Sequence, residues 1–450
     1  MVKKKKQKGI WGLVDNIQGD KVVWMVVIML ILFSIIAIFA SSSKLAIQEG
    51  TTRLAILKGH LRLVILGFLV IFTCYKIPGM GFYRVLSQLG FGISFILLTF
   101  LVTGFHTANT NDAVRAISIG GFQIHVYEVV KVAMVMYLAW AVQTLEKDKF
   151  WIMNKLAKKF RKVEFFKSKM AKEMVYIFIP IIIVTMMIVK GSLSSALFIG
   201  FIMLMTILIG GVRFKSLLIP GAIALVVALL TVGAHFIAPE KILPRLPTWV
   251  SRLEPNHYEQ DIKDYGLWSE QGQKALDKLR QPEGAKIAIK EGGLMGKGAG
   301  RSTQKHVVSV IFGDYMFSFI VEEFGLFGAV ILIALYVSLL ARGSIIVKNC
   351  NSIFAQTAVA GLTLLITGQA FFHMIVNVDV GILTGQTLPL ISHGGGSFIC
   401  FCIAFGVILS ISKIAKKNIE KATLEAQPII PGAIDDNVEA TLDELDNCDF

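Results

Sequence analysis

Residues 292–328, GGLMGKGAGRSTQKHVVSVIFGDYMFSFIVEEFGLFG, join a glycine-rich polar loop with donors for anionic oxygens to an apolar helix that carries carboxylates. Glycines at 292, 293, 296, 298 and 300 free the backbone for positive φ and close approach to a ligand, which makes Gly298 and Gly300 candidate amide donors. Arg301, Gln304, Lys305 and His306 add donors and positive charge for anionic oxygens. Asp314 follows where the polar loop gives way to apolar helix, so that water-facing chemistry and the membrane meet there. Glu322 and Glu323 come two turns later. For an isolated motif, a flexible loop and a carboxylate complementing a helix dipole would be the simpler account. The rest of the chain tips the balance.

Two further constellations lie in apolar surroundings, where ionisable groups are costly and therefore functional suspects. Glu128 and Lys131, in VYEVVKVAMVMYLAW, stand three apart on one helix face. A buried ion pair with a structural role, a polar staple between helices, is the favoured reading. Gln369 and His373 at i, i+4 share a face with Asn377 and aim toward Asp379. Then comes TGQTLPLISHGGGSF, in which Leu388-Pro389 breaks any helix, Ser392 and His393 offer hydrogen-bond groups and three glycines follow. Irregular backbone at membrane depth is tolerated only when buried in protein or lining a wet cavity. His393 alone reads as an ordinary interfacial histidine; with Asp314 on the same side it becomes a cavity wall.

The elements that must position these groups are membrane helices. Hydrophobic residues make up 54% of the 450, charged residues 17%, and mean hydropathy is +0.66, which excludes an ordinary soluble protein. The fold class expected is an all-α integral membrane protein of about ten transmembrane helices with one large extracytoplasmic loop. The spans centre on 22–41, 60–75, 83–104, 124–145, 173–190, 192–211, 216–237, 314–341, 354–376 and 397–413. The first is read as retained rather than cleaved. The formal charge of +14 does not imply nucleic acid, because Lys and Arg sit between the spans. Ten of them fall in 146–172, a topology determinant lying on anionic lipid. With Lys3, Lys4, Lys5 and Lys6 they place both termini in the cytoplasm. The organisation is a basic N-terminus 1–21, helices 1–7 over 22–237, the large outer loop 238–313, helices 8–10 over 314–413 and an acidic tail 414–450 without a core of its own. Five cysteines, Cys74, Cys350, Cys400, Cys402 and Cys448, show neither disulfide nor zinc spacing.

Three stretches resemble one family. TGQTLPLISHGGGS is similar to the T-G-x-x-L-P-F-x-S-Y-G-G-S-S signature of the SEDS family (shape, elongation, division and sporulation proteins such as FtsW and RodA). GGLMGKGAGRSTQK resembles its G-G-x-x-G-x-G-x-G-x-S-x-Q-K, and GDYMFSFIVEEFGLFG its T-D-F-I-F-A-x-x-x-E-E-x-G-x-x-G. The resemblance implies a peptidoglycan glycosyltransferase that polymerises lipid II on the outer face of the bacterial cytoplasmic membrane, in division (FtsW-like, the branch favoured) or elongation (RodA-like). Asp314 matches the family's catalytic aspartate, Glu128 and Lys131 its paired Glu and Lys, and Gln369, Thr384, Gly385, Pro389, Ser392, Gly394 and Gly395 its signature. Departures are VIFGDY for P-E-x-H-T-D-F, Ala116 for a tryptophan beside a matching Arg115, Gly191 and Ser192 for a proline and an aspartate, His373 for an asparagine and His393 for a tyrosine.

Such a reaction is a single inversion: a sugar hydroxyl attacks an α-linked lipid pyrophosphate and leaves a β-linkage. Asp314 is the expected base or hydroxyl-orienting group, and Arg115, Arg252, Arg301 and Lys305 are the expected pyrophosphate contacts. Gly298, Gly300, Gln304, Gln369, Ser392 and His393 complete the expected substrate contacts. No metal ligands are assigned; a divalent cation, magnesium or manganese, would supply part of the positive charge if one binds. Partners implied are lipid II, undecaprenyl-linked glycan, a class B penicillin-binding protein and other division or elongation proteins. The rival readings are a lipid-linked precursor flippase or other transporter, and a non-catalytic divisome scaffold.

Overall fold

The computed structural model describes residues 18–77, 79–104, 107–110, 113–119, 122–150, 153–155, 168–235, 257–308, 310–380 and 385–425. Arg252, Trp249 and Thr384, residues 156–167 of the basic 146–172 run, and the tail beyond 425 lie outside them. Apolar runs of bilayer length close their backbone hydrogen bonds internally and become helices. These are α1 (Lys21–Ser41), the short α2 (Ser43–Gln48), α3 (Arg53–Lys76), α4 (Met80–Thr103) and α5 (Val126–Glu146). A helix over Lys169–Val189 follows, with a π-turn at Met174–Phe178, so it is written as α6 (Lys169–Glu173) and α7 (Ile179–Val189). Then come α8 (Leu193–Ile209), α9 (Leu218–His235), α10 (His257–Tyr265), α11 (Glu270–Gly292), α12 (Met316–Lys348), α13 (Ile353–Asn377) and α14 (Gly395–Glu425).

Eight of these segments are long and apolar enough to span a membrane, and α8 and the Phe214–Ile223 stretch are shorter apolar helices; together they occupy the ten expected places. The second span is longer than its apolar run suggests, since α3 starts at the Thr52 cap and carries Lys58, His60 and Arg62 in its first turns. Burial divides the bundle: 78% of the α5 and α14 spans is inside, against 22% of α4. Val130, Val135, Leu138, Leu362, Ile366, Phe401 and Phe405 form the centre. The outer side of α9 leaves Leu225, Leu229 and Leu230 exposed, as lipid-facing residues should be.

Two features depart from a plain helical reading. The 105–123 loop forms a three-stranded antiparallel sheet of β1 (Thr107–Thr110), β2 (Ala113–Ile119) and β3 (Phe122–His125), and β3 runs straight into α5. The region between α9 and α12 is not a simple loop either: α10 is amphipathic, α11 is a long polar helix, and Lys286 of α11 pairs with Asp379 just past α13 at 2.6 Å. That pair, with Glu283 also bonded to Lys286, holds the lysine proton above the usual lysine range. At the opposite end, Asp20 caps α1 and receives Arg342 of α12, and Tyr75 donates to Gln18 O.

Candidate active site

Asp314 is the last-but-one residue before α12, and backbone hydrogen bonds from neighbouring segments hold this stretch in place. Asn377, at the end of α13, donates to Asp314 O at 3.0 Å and accepts from Ser318 N at 3.0 Å, so the first turn of α12 is capped from the neighbouring helix. Four residues earlier on the same face, His373 Nε2 accepts from Phe317 N at 3.3 Å while Nδ1 meets Gln386 O at 2.7 Å. An amide can only donate and a carbonyl can only accept, so this ring is the neutral Nδ1–H tautomer. The 385–394 segment closes over the same point. His393 N donates to Phe312 O at 2.9 Å, Ser392 Oγ donates to Gly313 O at 2.8 Å, and Tyr336 OH anchors Pro389 O at 2.7 Å.

Between these segments and the start of α5 lies a cavity of about 200 Å³, lined by Asp314, Glu128, His393, His125, Tyr127, Ser195, Gln386, Thr387 and neighbouring residues. Asp314 is half-buried in its wall. Lys131 sits just behind, 2% exposed, with its ammonium donating to Glu128 Oε1, Gln369 Oε1 and Gln386 Oε1, each at 2.7 Å. Three donors meet three acceptors, so the lysine is fully satisfied. Glu128 Oε2 has no hydrogen bond among the described residues, and neither does His393 Nδ1. Burial pushes the His393 ring below the ordinary histidine range, partly offset by Glu49, and keeps it neutral near pH 7. The cavity therefore offers two carboxylates and a neutral imidazole.

Several of the expected substrate contacts have hydrogen-bond partners within the protein. Gln369 is fully buried and spends its amide on Lys131 and Thr387 O. Ser392, 3% exposed, accepts from Leu388 N while donating to Gly313 O, and so shapes the loop. The glycine loop is spliced into a break in α12. Gly325 has φ 67°, and across the gap Lys297 N and Gly298 N donate to Glu322 O and Glu323 O at 2.9 Å while Leu326 N donates to Gly293 O at 2.9 Å. A Cβ on Gly296 would stand 2.3 Å from Glu323 O, which is why glycine is needed there. The loop's donors serve Glu322 and Glu323: Lys297, Ser302, Thr303 and Gln304 all bond the Glu322 carboxylate, and the Gly300 and Ser302 amides face Glu323. Burial lowers the Lys305 proton affinity, and its ammonium bonds Gly300 O. None of Gly298, Gly300, Arg301, Gln304 and Lys305 lines the Asp314 cavity. Arg115 lies on β2, one residue from Ala116, the partner of His125 in the sheet; its side chain, like Arg252, falls outside the described residues.

Sequence reasoning passed over Gln386, Ser195 and His125. Only their polarity inside apolar or glycine-rich runs could have marked them. Among the described residues no three of His, Cys, Asp and Glu stand together so as to hold a metal ion, and no step below is routed through one.

The FtsW/RodA/SpoVE family model, described as cell cycle protein, matches residues 20–417. The chain belongs to this family. Along 87% of its length it is 25% identical to a probable peptidoglycan glycosyltransferase FtsW of Geobacter sulfurreducens, of which 95% is covered. Over 149 residues it is 37% identical to the peptidoglycan glycosyltransferase MrdB of Escherichia coli K12, covering 30% of this chain and 39% of that one. Its fold is similar to a chain from a solved structure described as "Structural coordination of polymerization and crosslinking by a peptidoglycan synthase complex" (TM-score 0.59, 20% identity, 88% and 98% of the two chains). It is also similar to the rod shape determining protein RodA of Thermus thermophilus (TM-score 0.54, 18% identity, 89% and 98%).

The departures of this FtsW/RodA/SpoVE member from the family pattern find physical roles. His373, where the pattern has asparagine, bridges α12 to Gln386. Ser192 caps α8 and bonds Ser195, which in turn accepts from Gln386 at 2.9 Å. Ala116, where the pattern has tryptophan, is fully buried in β2.

Proposed function

We propose that this chain polymerises lipid II into glycan strands at the outer face of a bacterial cytoplasmic membrane, as an inverting glycosyltransferase serving division or elongation. The observation that carries the reading is the Asp314 cavity, with Glu128 and His393 in its walls, in a chain whose relatives are named peptidoglycan glycosyltransferases. The acceptor hydroxyl oxygen attacks the anomeric carbon of the lipid-linked donor, the bond from that carbon to the pyrophosphate oxygen breaks, and the lipid pyrophosphate departs. Asp314 takes the hydroxyl proton. Glu128, anchored through one oxygen by Lys131, presents its second oxygen to an acceptor sugar hydroxyl. Arg115, on the strand beside His125, and Arg252 are the cations assigned to the departing pyrophosphate.

The orientation follows from charge. Lys147, Lys149, Lys169, Lys172, Arg213, Lys215, Arg342 and Lys348 lie in or beside the connections at the helix ends away from Asp314, which supports a cytoplasmic position for that end and for both termini. A class B penicillin-binding protein is the expected partner, with undecaprenyl-linked glycan as the growing product. The test is the purified full chain with labelled lipid II, alone and with that partner, read by glycan chain length. Polymer in either condition supports the assignment; its absence in both overturns it.

A further inference from the structure

The 388–392 turn beside Asp314 is built around a residue in an unfavourable conformation. Leu390 has φ 63°, in the left-handed region that a leucine rarely adopts, and it is buried. Such a backbone persists only where its surroundings over-determine it. Two bonds come from within the turn, from Ile391 N and Ser392 N to Leu388 O at 3.1 and 3.0 Å. The carbonyls of the residues flanking Leu390 are held from outside. Tyr336 OH of α12 donates to Pro389 O at 2.7 Å, and Ser34 Oγ of α1 donates to Ile391 O at 3.2 Å. Behind Ser34 stands His60 of α3, 2% exposed, with Nε2 at 2.9 Å from the same hydroxyl oxygen. The directions of these bonds are fixed. A serine hydroxyl has one proton and a carbonyl can only accept, so Ser34 gives its proton to Ile391 O and receives one from His60 Nε2. His60 is therefore the Nε2–H tautomer. Its Nδ1 is shut in the protein without a hydrogen bond among the described residues, the ring standing edge-on to Phe398 at 5.8 Å. A leucine would fill that space without leaving a buried nitrogen unbonded, so packing alone does not account for His60.

We propose that His60 is a positioning residue for glycosyl transfer: acting through Ser34, it locks the left-handed turn at Leu390 and so holds the backbone that carries Asp314. This role rests on the reading of the Asp314 cavity as the polymerisation site. The contacts between the two are continuous. Ser392 Oγ donates to Gly313 O at 2.8 Å and His393 N donates to Phe312 O at 2.9 Å, so the two residues before Asp314 are tied to the two residues after Ile391. Releasing Ile391 O lets Leu390 relax toward ordinary backbone. That movement carries His393 out of the cavity wall and loosens Gly313, which misplaces the Asp314 carboxylate while leaving every group of the cavity present.

The experiment uses the purified full chain with labelled lipid II, and reads turnover together with hydrogen exchange at the 391–393 amides. His60→Leu fills the site but donates nothing, so kcat should fall about 10²-fold at little-changed KM, the scale of a small misplacement of a reacting group. Ser34→Ala should match it, and the double variant should lose no more than either single one. His60→Gln, whose amide can replace the Nε2–H donor, should recover most of the rate. Exchange at 391–393 should rise in His60→Leu and Ser34→Ala and return toward wild type in His60→Gln. Val26→Ala, a truncation of a buried residue earlier on α1, should lower the melting temperature with kcat and that exchange unchanged. Ser34→Ala, the smaller change, decides the matter if His60→Leu does not fold. A lower melting temperature with kcat per folded molecule and 391–393 exchange unmoved overturns the proposal, as does an equal loss in His60→Gln and His60→Leu. A wild type that makes no polymer while exchange responds as stated overturns the polymerase reading and leaves the clamp standing.

Discussion

Two lysine–carboxylate nodes lie on this side of the bundle, and they are wired differently. At Glu128 and Lys131 the lysine is saturated and the carboxylate is not: three oxygens surround the ammonium while Glu128 Oε2 is left over in the wall of a cavity. At Glu322 and Lys297 the carboxylate is the saturated partner, receiving the lysine, two hydroxyls and two backbone amides. There the lysine is drawn down by burial, yet the carboxylates of Glu291 and Glu322 outweigh this and hold its proton. A node with an acceptor left over can act on a ligand; a node with every acceptor filled can only hold backbone in place. The Glu322 node holds the glycine loop in the break of α12, and the Glu128 node faces Asp314.

The difference can be broken or sharpened by substitution. The largest effect is expected at the cavity itself. Asp314→Asn keeps the shape but removes the proton acceptor, so polymerisation of labelled lipid II should fall about 10²-fold to 10⁴-fold with expression and insertion unchanged. Long glycan at a near-normal rate would transfer the base to Glu128 or His393. Next, Lys131→Met leaves the Glu128 carboxylate without its counter-ion and should cost roughly 3–5 kcal/mol in stability, seen as lost folded yield. Adding Glu128→Gln should recover part of the yield without recovering activity. Recovery of both would reduce the pair to a structural staple.

Gly325→Ala tests the other region. Its left-handed φ and the 2.3 Å approach of a Cβ to Leu294 O should cost about 1–3 kcal/mol in thermal unfolding. Activity per folded molecule should hold. A selective loss of turnover at unchanged melting temperature would return the glycine loop to the catalytic site.

The smallest effect concerns pH. His393 is held below the ordinary histidine value of 6.5, so the unfolded chain binds its proton first as pH falls. Stability should therefore decline below about pH 6.5, toward the folded-state value, and His393→Gln should show a shallower decline in melting temperature. An identical slope in both proteins would mean that the ring is solvated and belongs to no cavity wall.

What could be read without coordinates was whatever depends on local pattern. Span positions follow from the length of apolar runs, because a backbone in hydrocarbon has no other way to bond itself. The family follows from ordered motifs, and Asp314 stood out as the carboxylate where polar loop meets apolar helix. What local pattern left hidden has one cause. Gly298, Gly300, Gln304 and Lys305 look like anion-binding donors in sequence, since nothing local reveals that Glu322 and Glu323, some twenty positions later, accept the bonds of that loop. Gln369 and Ser392 look available for the same reason, though Lys131 and Gly313 already occupy them.

Residue type and spacing thus determined the membrane fold, the places of its helices and the identity of the acidic group at the loop–helix junction. Only the tertiary structure decided which polar groups remain unspent. The fold also brought Glu128, His125 and Gln386 from separate segments to one cavity with Asp314, and turned the glycine loop into a splice within α12. Hydrogen-bond capacity is a property of each side chain, but its satisfaction depends on partners that the fold brings from afar.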